Sequence, residues 1–523
     1  MPAPSASAFR LLLLALAATP LACAQEHPPA PRIQADAGAL EQDRQRIHVA
    51  PGFRVQLFAS EPDVANPVAL AFDEQGRCFV VETFRRDKQV LDMREHKEWV
   101  EDDLASRTVE DRVAFLRRLA GDGIRLFREE SERVRLLVDG DGDGRAERAT
   151  VFADGFDGLA DGIAAGVLAR RGDVWFTDIP SLWRLRDKKG SGRADERERV
   201  ATGFGVHYQF TGHDLHGLRV GPDGRLYFSI GDRGLHVRTK EGRVLDLPDC
   251  GAVLRCELDG SGLELVHTGL RNPQELAFDD AGDLFTVDNN SDGGDLARLV
   301  HVVEGADSGW CVGWQWFEST PKRGAWNAEH MWEPKNDAQP AWILPPIANL
   351  VNGPSGLAHY PGTGFSDPAW RDTFFVCDFE GEVDNTRVVA FRVAPAGASF
   401  TLASQSDFVA RGIVATDCDF GPDGALYVSD WVHGWGQTGR GRVWRIFDPE
   451  ALGSAPVEAT RKLIGEGMAG RSRADLVARL VHPDQRVRLE AELALAEMGD
   501  EGLLGFTTVL DGVRDRLARL HAI

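Results

Sequence analysis

The sequence predicts an all-β chain: a six-bladed β-propeller with a helical insertion and a small C-terminal α-helical, HEAT-like segment. Three observations predict it. A hairpin of constant grammar recurs six times, its copies lie roughly 50 residues apart, and the pattern turns helical after Ile446. Each copy is an apolar strand, a polar turn with Asp and Gly, and a second strand ending in an acidic residue. In order they are Asn66–Thr83, Asp161–Asp178, His216–Asp232, Asn272–Asn289, Gly353–Asp378 and Val414–Asp430. Turns such as P-D-G, followed by β-branched and aromatic residues, are hairpin signals. Hairpins rather than helices at this period make a propeller, and six copies make six blades around a channel. A pair of β-sandwiches is the alternative, but it does not explain why one hairpin recurs with one turn.

The remaining segments follow. Residues 46–446 form the propeller, with longer intervals across 84–160 and 290–352. A helical insertion is expected over about 84–136, because Thr108 and Asp111 precede Val113, Phe115 and Leu116 as in a capped amphipathic helix. It is expected to cap one propeller face. Residues 455–523 have helical periodicity: Leu476 and Leu480 share a face, an H-P-D turn follows, and Val487, Ala491 and Ala494 point inward before Gly499. This resembles HEAT-type repeats. So few repeats cannot bury their faces alone, so they lean on the propeller or belong to a longer array.

At the other end, Arg10 precedes the apolar run Leu11–Ala18, and Ala22-Cys23-Ala24 follows. This reads as a signal peptide over 1–24, with a flexible linker over 25–45 and a periplasmic or extracellular destination. The alternative there is lipidation of Cys23. No later segment is apolar and long enough for a transmembrane helix. Lys and Arg total 59 against 81 Asp and Glu, a formal charge of −22. That excess argues against nucleic acid as a partner, which requires clustered cations, and suits small-molecule chemistry or bound cations. Six cysteines follow the signal: Cys78, Cys250, Cys256, Cys311, Cys377 and Cys418. Cys250 and Cys256 could pair if they lie on adjacent strands; otherwise all six are small buried hydrophobes. Neither C-x-x-C-H nor C-x-x-C occurs, so no c-type haem or common zinc pattern is present.

Propeller sites form at the channel mouth, where loops between blades converge. The third hairpin is preceded by His207, His213 and His216 and ends at Asp232. A His at the start of a blade and an Asp at the end of its second strand can meet, which fixes the imidazole tautomer and raises its basicity. The alternative is that these histidines are ordinary loop or core residues. Arg271, Asn272 and Gln274 gather hydrogen-bonding groups suited to an anionic or carbonyl-rich ligand. Asp288–Arg298 is rich in oxygen ligands and could hold a hard cation, or be a solvated turn. Asp139, Asp141 and Asp143 with Gly144 match the opening of a calcium loop. Position twelve is Thr150, so Glu147 is the candidate fourth ligand.

Together these motifs resemble the glucose/sorbosone dehydrogenases, six-bladed propellers that bind pyrroloquinoline quinone (PQQ) and calcium. The resemblance spans about residues 50–446 and is strongest in the block HDLHGLRVGPDGRLYFSIGDRG. It implies His213 as general base, Asp232 as its orienting carboxylate, and Arg271 with Asn272 and Gln274 as the R-N-x-Q cofactor loop. It places Asn289 and Asn290 where backbone carbonyls would hold calcium. Asp161 stands where the family has Gln, and Arg411 is the candidate basic partner on the last blades. Cys377–Gly381 is acidic where the family has Lys. The insertion and helical tail resemble the membrane-bound dehydrogenase family, which joins such a propeller to helical repeats and often to cytochrome c. The resemblance thus implies an exported PQQ-dependent dehydrogenase oxidising a sugar or other alcohol, passing electrons to a cytochrome c or another acceptor. Alternatives are a metal-dependent, lactonase-like hydrolase and a non-catalytic carbohydrate- or protein-binding propeller.

Overall fold

The computed structural model describes residues 33, 35–317, 324–333 and 343–523. The expected signal peptide and Cys23 lie outside the described residues. Six sheets, antiparallel but for one short outer parallel pairing, surround a channel, and their innermost strands are Pro67–Phe72, Ala164–Arg170, Leu215–Val220, Pro273–Phe278, Pro354–His359 and Ala415–Phe420. Each innermost strand touches the next, and the sixth touches the first. The all-β, six-bladed expectation therefore holds. The outermost strand of the sixth blade comes from the other end of the chain: Arg54–Ser60 pairs antiparallel with Arg442–Phe447. Apolar side chains fill the wedges between blades. Between the first and second, for example, Phe79, Val81 and Val134 meet Val167, Val174 and Phe176.

The acid ending the hairpin has a structural duty in most blades. In four blades it clamps backbone N–H groups just ahead of its own innermost strand. Glu82 accepts from Ala65 N at 2.9 Å, and Asp288 from Arg271 N and Asn272 N at 3.0 and 2.7 Å. Asp378 accepts from Asn352 N and Gly353 N at 3.0 and 2.9 Å, and Asp430 from Val414 N at 2.9 Å. A third-strand side chain supports each carboxylate: Arg135, Arg298, Arg387 and Trp444 respectively. Buried amides must be paired, so this position is acidic for reasons of folding alone.

The second and third blades break the rule. Asp232 turns to side chains instead, as described below. Asp178 is 1% exposed, and neither of its oxygens has a hydrogen-bond partner. Burial, reinforced by the carboxylates of Asp161 and Glu132, pushes its pKa well above the ordinary range. The folded chain therefore carries a proton here that the unfolded chain releases above about pH 4. Stability from this group is complete below that pH and is lost as pH rises toward the folded pKa. Asp178→Asn, which needs no proton, should raise the melting temperature by a few degrees at pH 8 and by less at pH 5, read by calorimetry.

Helices lie on both faces of the propeller. On one side the insertion forms helices Val100–Leu104 and Val109–Ala120. The second starts with the expected capping box, Thr108 with Asp111, and Phe115, Leu116 and Tyr208 share its core. The helical part is shorter than expected, because Glu132–Val138 is the third strand of the first blade. The expected flexible linker over 25–45 also needs correction: Ala37–Arg46 is a helix capped by Asp36, and Asp43 pairs with Arg442 at 2.7 Å.

On the far side lie Ala455–Glu466, Arg473–Arg479, Gln485–Glu497, Asp500–Gly512 and Arg516–Leu520. Leu476, Leu480, Val487, Ala491 and Ala494 form their own small core. The start of Gln485–Glu497 docks on the propeller. Gln485 Nε2 donates to Asp279 O at 2.6 Å and Gln485 N to Pro361 O at 2.7 Å. Arg486 donates to the carbonyls of Phe420 and Gly421, and Glu490 pairs with Arg170 at 2.7 Å and Arg171 at 2.9 Å. These partners belong to four blades, so the helix lies across the channel's lower opening.

All six cysteines are free. Cys250 immediately precedes the strand that Cys256 ends, Gly251–Cys256. They are not on adjacent strands, and the pairing considered for them is not made. Among the described residues, no helix is long and apolar enough to cross a membrane.

Candidate active site

The upper end of the channel opens into a pocket of about 440 Å³. Residues far apart in sequence converge there: His213 from the third blade, Arg271, Asn272 and Gln274 from the fourth, and Asn289 and Asn290 from the loop after its second strand.

His213 is 4% exposed. Its Nδ1 lies 2.7 Å from Asp232 Oδ1, and Asp232 Oδ2 accepts from Trp310 Nε1 at 2.8 Å. Asp232 thus spends both oxygens on side chains, those of His213 in the pocket wall and of the buried Trp310. A carboxylate at Nδ1 holds the proton there and leaves the lone pair on Nε2. Burial lowers the pKa of His213, and Arg271 adds to that while Asp232 opposes it. Burial raises Asp232, but His213, Arg271 and Trp310 outweigh it, so its pKa falls below the ordinary value. The pair is therefore a neutral imidazole on an ionised carboxylate, the resting state of a general base.

Arg271 is 1% exposed. Its Nε donates to Gln315 Oε1 at 2.9 Å and its Nη2 to Asp292 Oδ2 at 3.2 Å, while Nη1 has no hydrogen-bond partner. Its guanidinium lies 5.4 Å from the Phe210 ring and 5.7 Å from Trp310. Asn272 Oδ1 is likewise buried without a partner. Unpaired buried polar atoms in a pocket wall are costly unless a ligand or water satisfies them. Gln274 Nε2 donates to Gly212 O at 3.3 Å.

The other histidines have structural duties. His216 also lines the pocket, but its Nε2 contacts Gly212 O at 3.1 Å, and burial lowers its pKa to about 4. His207 is buried under the insertion, with Nδ1 2.8 Å from Asp103 O.

Three groups of expected ligands lie elsewhere. Asp161 is not in the pocket wall; its carboxylate accepts from Gly158 N at 2.7 Å, closing a local turn. Arg411 ends Ser399–Arg411, on the outer part of the fifth blade, and meets His48. Asp139, Asp141, Asp143 and Glu147 form an outer turn of the first blade, with ligand oxygens within 4.8 Å of one another. That acidic cluster is separate from the pocket.

Sequence reasoning missed the pocket floor. Glu275 and Asp417 line it, with Arg219 beneath at 3.4 Å from Glu275. Gly356 makes room, since a Cβ there would lie 2.4 Å from Asp417 Oδ1. Burial raises Glu275 to about 7 against the pull of Arg219, and burial with Glu275 raises Asp417. The only signal was an acid in each of two innermost strands, PQELAF and ATDCDF, whose other polar residues, Gln274, Thr416 and Asp419, hide it. Trp310, Gln315 and Trp435 were also missed, since they come from irregular connections without periodicity, and Glu380 was noted only as part of the acidic stretch Cys377–Gly381.

Residues 39–437 match the family described as Domain of unknown function (DUF7133). The chain belongs to that family. The DUF7133 match takes in the site and all but the last propeller strand, and stops short of the C-terminal helices. No curated protein matches this DUF7133 chain. Several solved structures are similar to it at low identity. The soluble aldose sugar dehydrogenase of Escherichia coli in its apo-form is 14% identical, with TM-score 0.46, over 76% of this chain and 99% of that one. The PQQ-bound aldose sugar dehydrogenase of Streptomyces coelicolor is 16% identical, with TM-score 0.44, over 76% and 99%. The pyranose dehydrogenase PQQ domain of Coprinopsis cinerea is 13% identical, with TM-score 0.45, over 80% and 99%.

Proposed function

We propose that the chain is a quinoprotein-type dehydrogenase that oxidises a hydroxyl group of a sugar or other alcohol. The observation that carries this reading is the His213–Asp232 pair, a neutral base held by an ionised carboxylate in the wall of a pocket with an unpaired guanidinium nitrogen. His213 Nε2 takes the hydroxyl proton. Asp232 stabilises the imidazolium that forms, and Arg271 Nη1 stabilises negative charge gathering on oxygen.

The pocket wall fits the cofactor that the sequence motifs imply. Arg271 Nη1 is a buried donor and Asn272 Oδ1 a buried acceptor, both unspent, and Arg86 and Arg94 add cationic side chains to the lining. Asn289, Asn290 and Asp292 bring oxygen donors suited to calcium. When bound, PQQ supplies the two-electron acceptor for the carbon-bound hydrogen. The test is dye reduction by the purified chain with PQQ and calcium over a panel of sugars and simple alcohols. Turnover that depends on PQQ supports the reading. Failure of every substrate, or lactone hydrolysis that depends on a divalent metal, rejects it.

The outer turn of the first blade supports a separate calcium reading. Asp139 accepts from Gly142 N and Gly144 N at 2.7 and 2.8 Å, which curls its carboxylate inward among three others. Calcium should raise the melting temperature by a few degrees, a chelator should reverse this, and Asp141→Asn should abolish it.

A further inference from the structure

The mouth of the pocket carries a surface that the proton chemistry leaves unused. Trp435 lines the mouth and is 56% exposed, more than any other aromatic side chain among the described residues. An indole left in water forgoes a large burial gain, yet this one is held in place. A Cβ on Gly381 would lie 2.4 Å from its Nε1, so the indole rests against backbone that only glycine leaves bare. Phe379 meets it edge-on at 5.0 Å between ring centres. Arg86 Nη1 donates to the Trp435 carbonyl, tying the sixth-blade loop to the first blade.

Beside the indole stands a short polar rail. Glu380 accepts from Asn352 Nδ2 at 3.0 Å, and Asn352 O accepts from Asn290 Nδ2 at 3.1 Å. All three side chains line the same pocket as Trp435. A flat apolar face next to a carboxylate and amides matches a pyranose ring. The axial C–H face of a sugar packs on an indole, while its equatorial hydroxyls donate to a carboxylate and exchange hydrogen bonds with amides. The carboxylate also disfavours an anionic ring at this position.

We infer that Trp435, Glu380 and Asn352 form a second sugar subsite at the pocket mouth, so that the substrate is an oligosaccharide or glycoside whose outer ring stacks on Trp435 while the reacting unit reaches His213. This inference rests on the sugar reading above and narrows its substrate class.

The test uses the full chain, titrated with glucose, maltotriose and cellotriose by calorimetry and by tryptophan fluorescence. At least one trisaccharide should bind on the order of tenfold more tightly than glucose, the yield of one stacked ring and its hydrogen bonds. It should also shift the emission to shorter wavelength. In Trp435→Ala the trisaccharide-to-glucose affinity ratio should fall to about one, while Trp435→Phe keeps part of it. Glu380→Gln should lower the ratio several-fold. A ratio near one in the unaltered chain overturns the subsite, as does a ratio that survives Trp435→Ala. Glucose bound or oxidised without any trisaccharide advantage rejects the subsite alone. No binding of any of the three sugars rejects the sugar reading, and the subsite with it.

Discussion

His213→Ala should lower kcat by about 10²–10⁴-fold, the usual contribution of a positioned general base, while leaving the melting temperature within a few degrees. The imidazole makes one described hydrogen bond, to Asp232, and is not part of any blade's apolar wedge. Loss of turnover without loss of folding would therefore locate the effect in chemistry. The pH profile gives an independent readout. Burial sets the His213 pKa below its ordinary value, and only the neutral imidazole accepts a proton. Activity in the unaltered chain should rise with pH through that lowered pKa and be level by neutrality. Turnover retained in the alanine variant would reject the assignment of the base.

Asp232→Asn should cost about as much, near 10³–10⁴-fold in kcat, although it exchanges only one atom. Trp310 Nε1 can only donate, and it points at one of the two Asp232 oxygens. The new amide must turn its own oxygen to Trp310, which aims its NH₂ at His213 Nδ1. Nδ1 then accepts instead of donating, and the imidazole proton moves to Nε2, where the base needs its lone pair. The fold should be little changed, since Asp232 clamps no backbone amide of its own blade. Adding Trp310→Phe removes the donor that fixes the amide, so the double variant should regain part of the lost rate. Parallel kinetics and melting curves for the three proteins check this. A single variant with full activity would show that the carboxylate does not set the tautomer.

The propeller was legible because a repeated hairpin states its own period. Most of the upper pocket was legible for the same reason. His213 and Asp232 flank a single copy, and Arg271, Asn272, Gln274, Asn289 and Asn290 flank the next, so blade order alone brings them together. Asp161 and Arg411 were misplaced because their roles came from alignment with a motif. Only coordinates reveal that the turn before the second blade keeps Asp161 for Gly158, or that Arg411 falls on an outer strand. The acidic hairpin ends carried a second lesson. Six look alike in sequence, four clamp backbone amides, and only the partners of Asp232 single it out. Glu275 and Asp417 were hidden inside hairpin strands that mix polar and apolar residues, because burial of an acid depends on Gly356 and Arg219 from other blades.

The pairing of Arg54–Ser60 with Arg442–Phe447 joins segments nearly 400 residues apart. A ribosome adding about 5–20 residues per second needs on the order of tens of seconds to make the second partner after the first. Throughout that interval the nascent sixth sheet lacks its edge, the barrel of blades stays open, and apolar wedge surfaces face water. Holdase chaperones should therefore find this protein early, and proteases should cut it readily until the last strand arrives, after which both should lose their grip together.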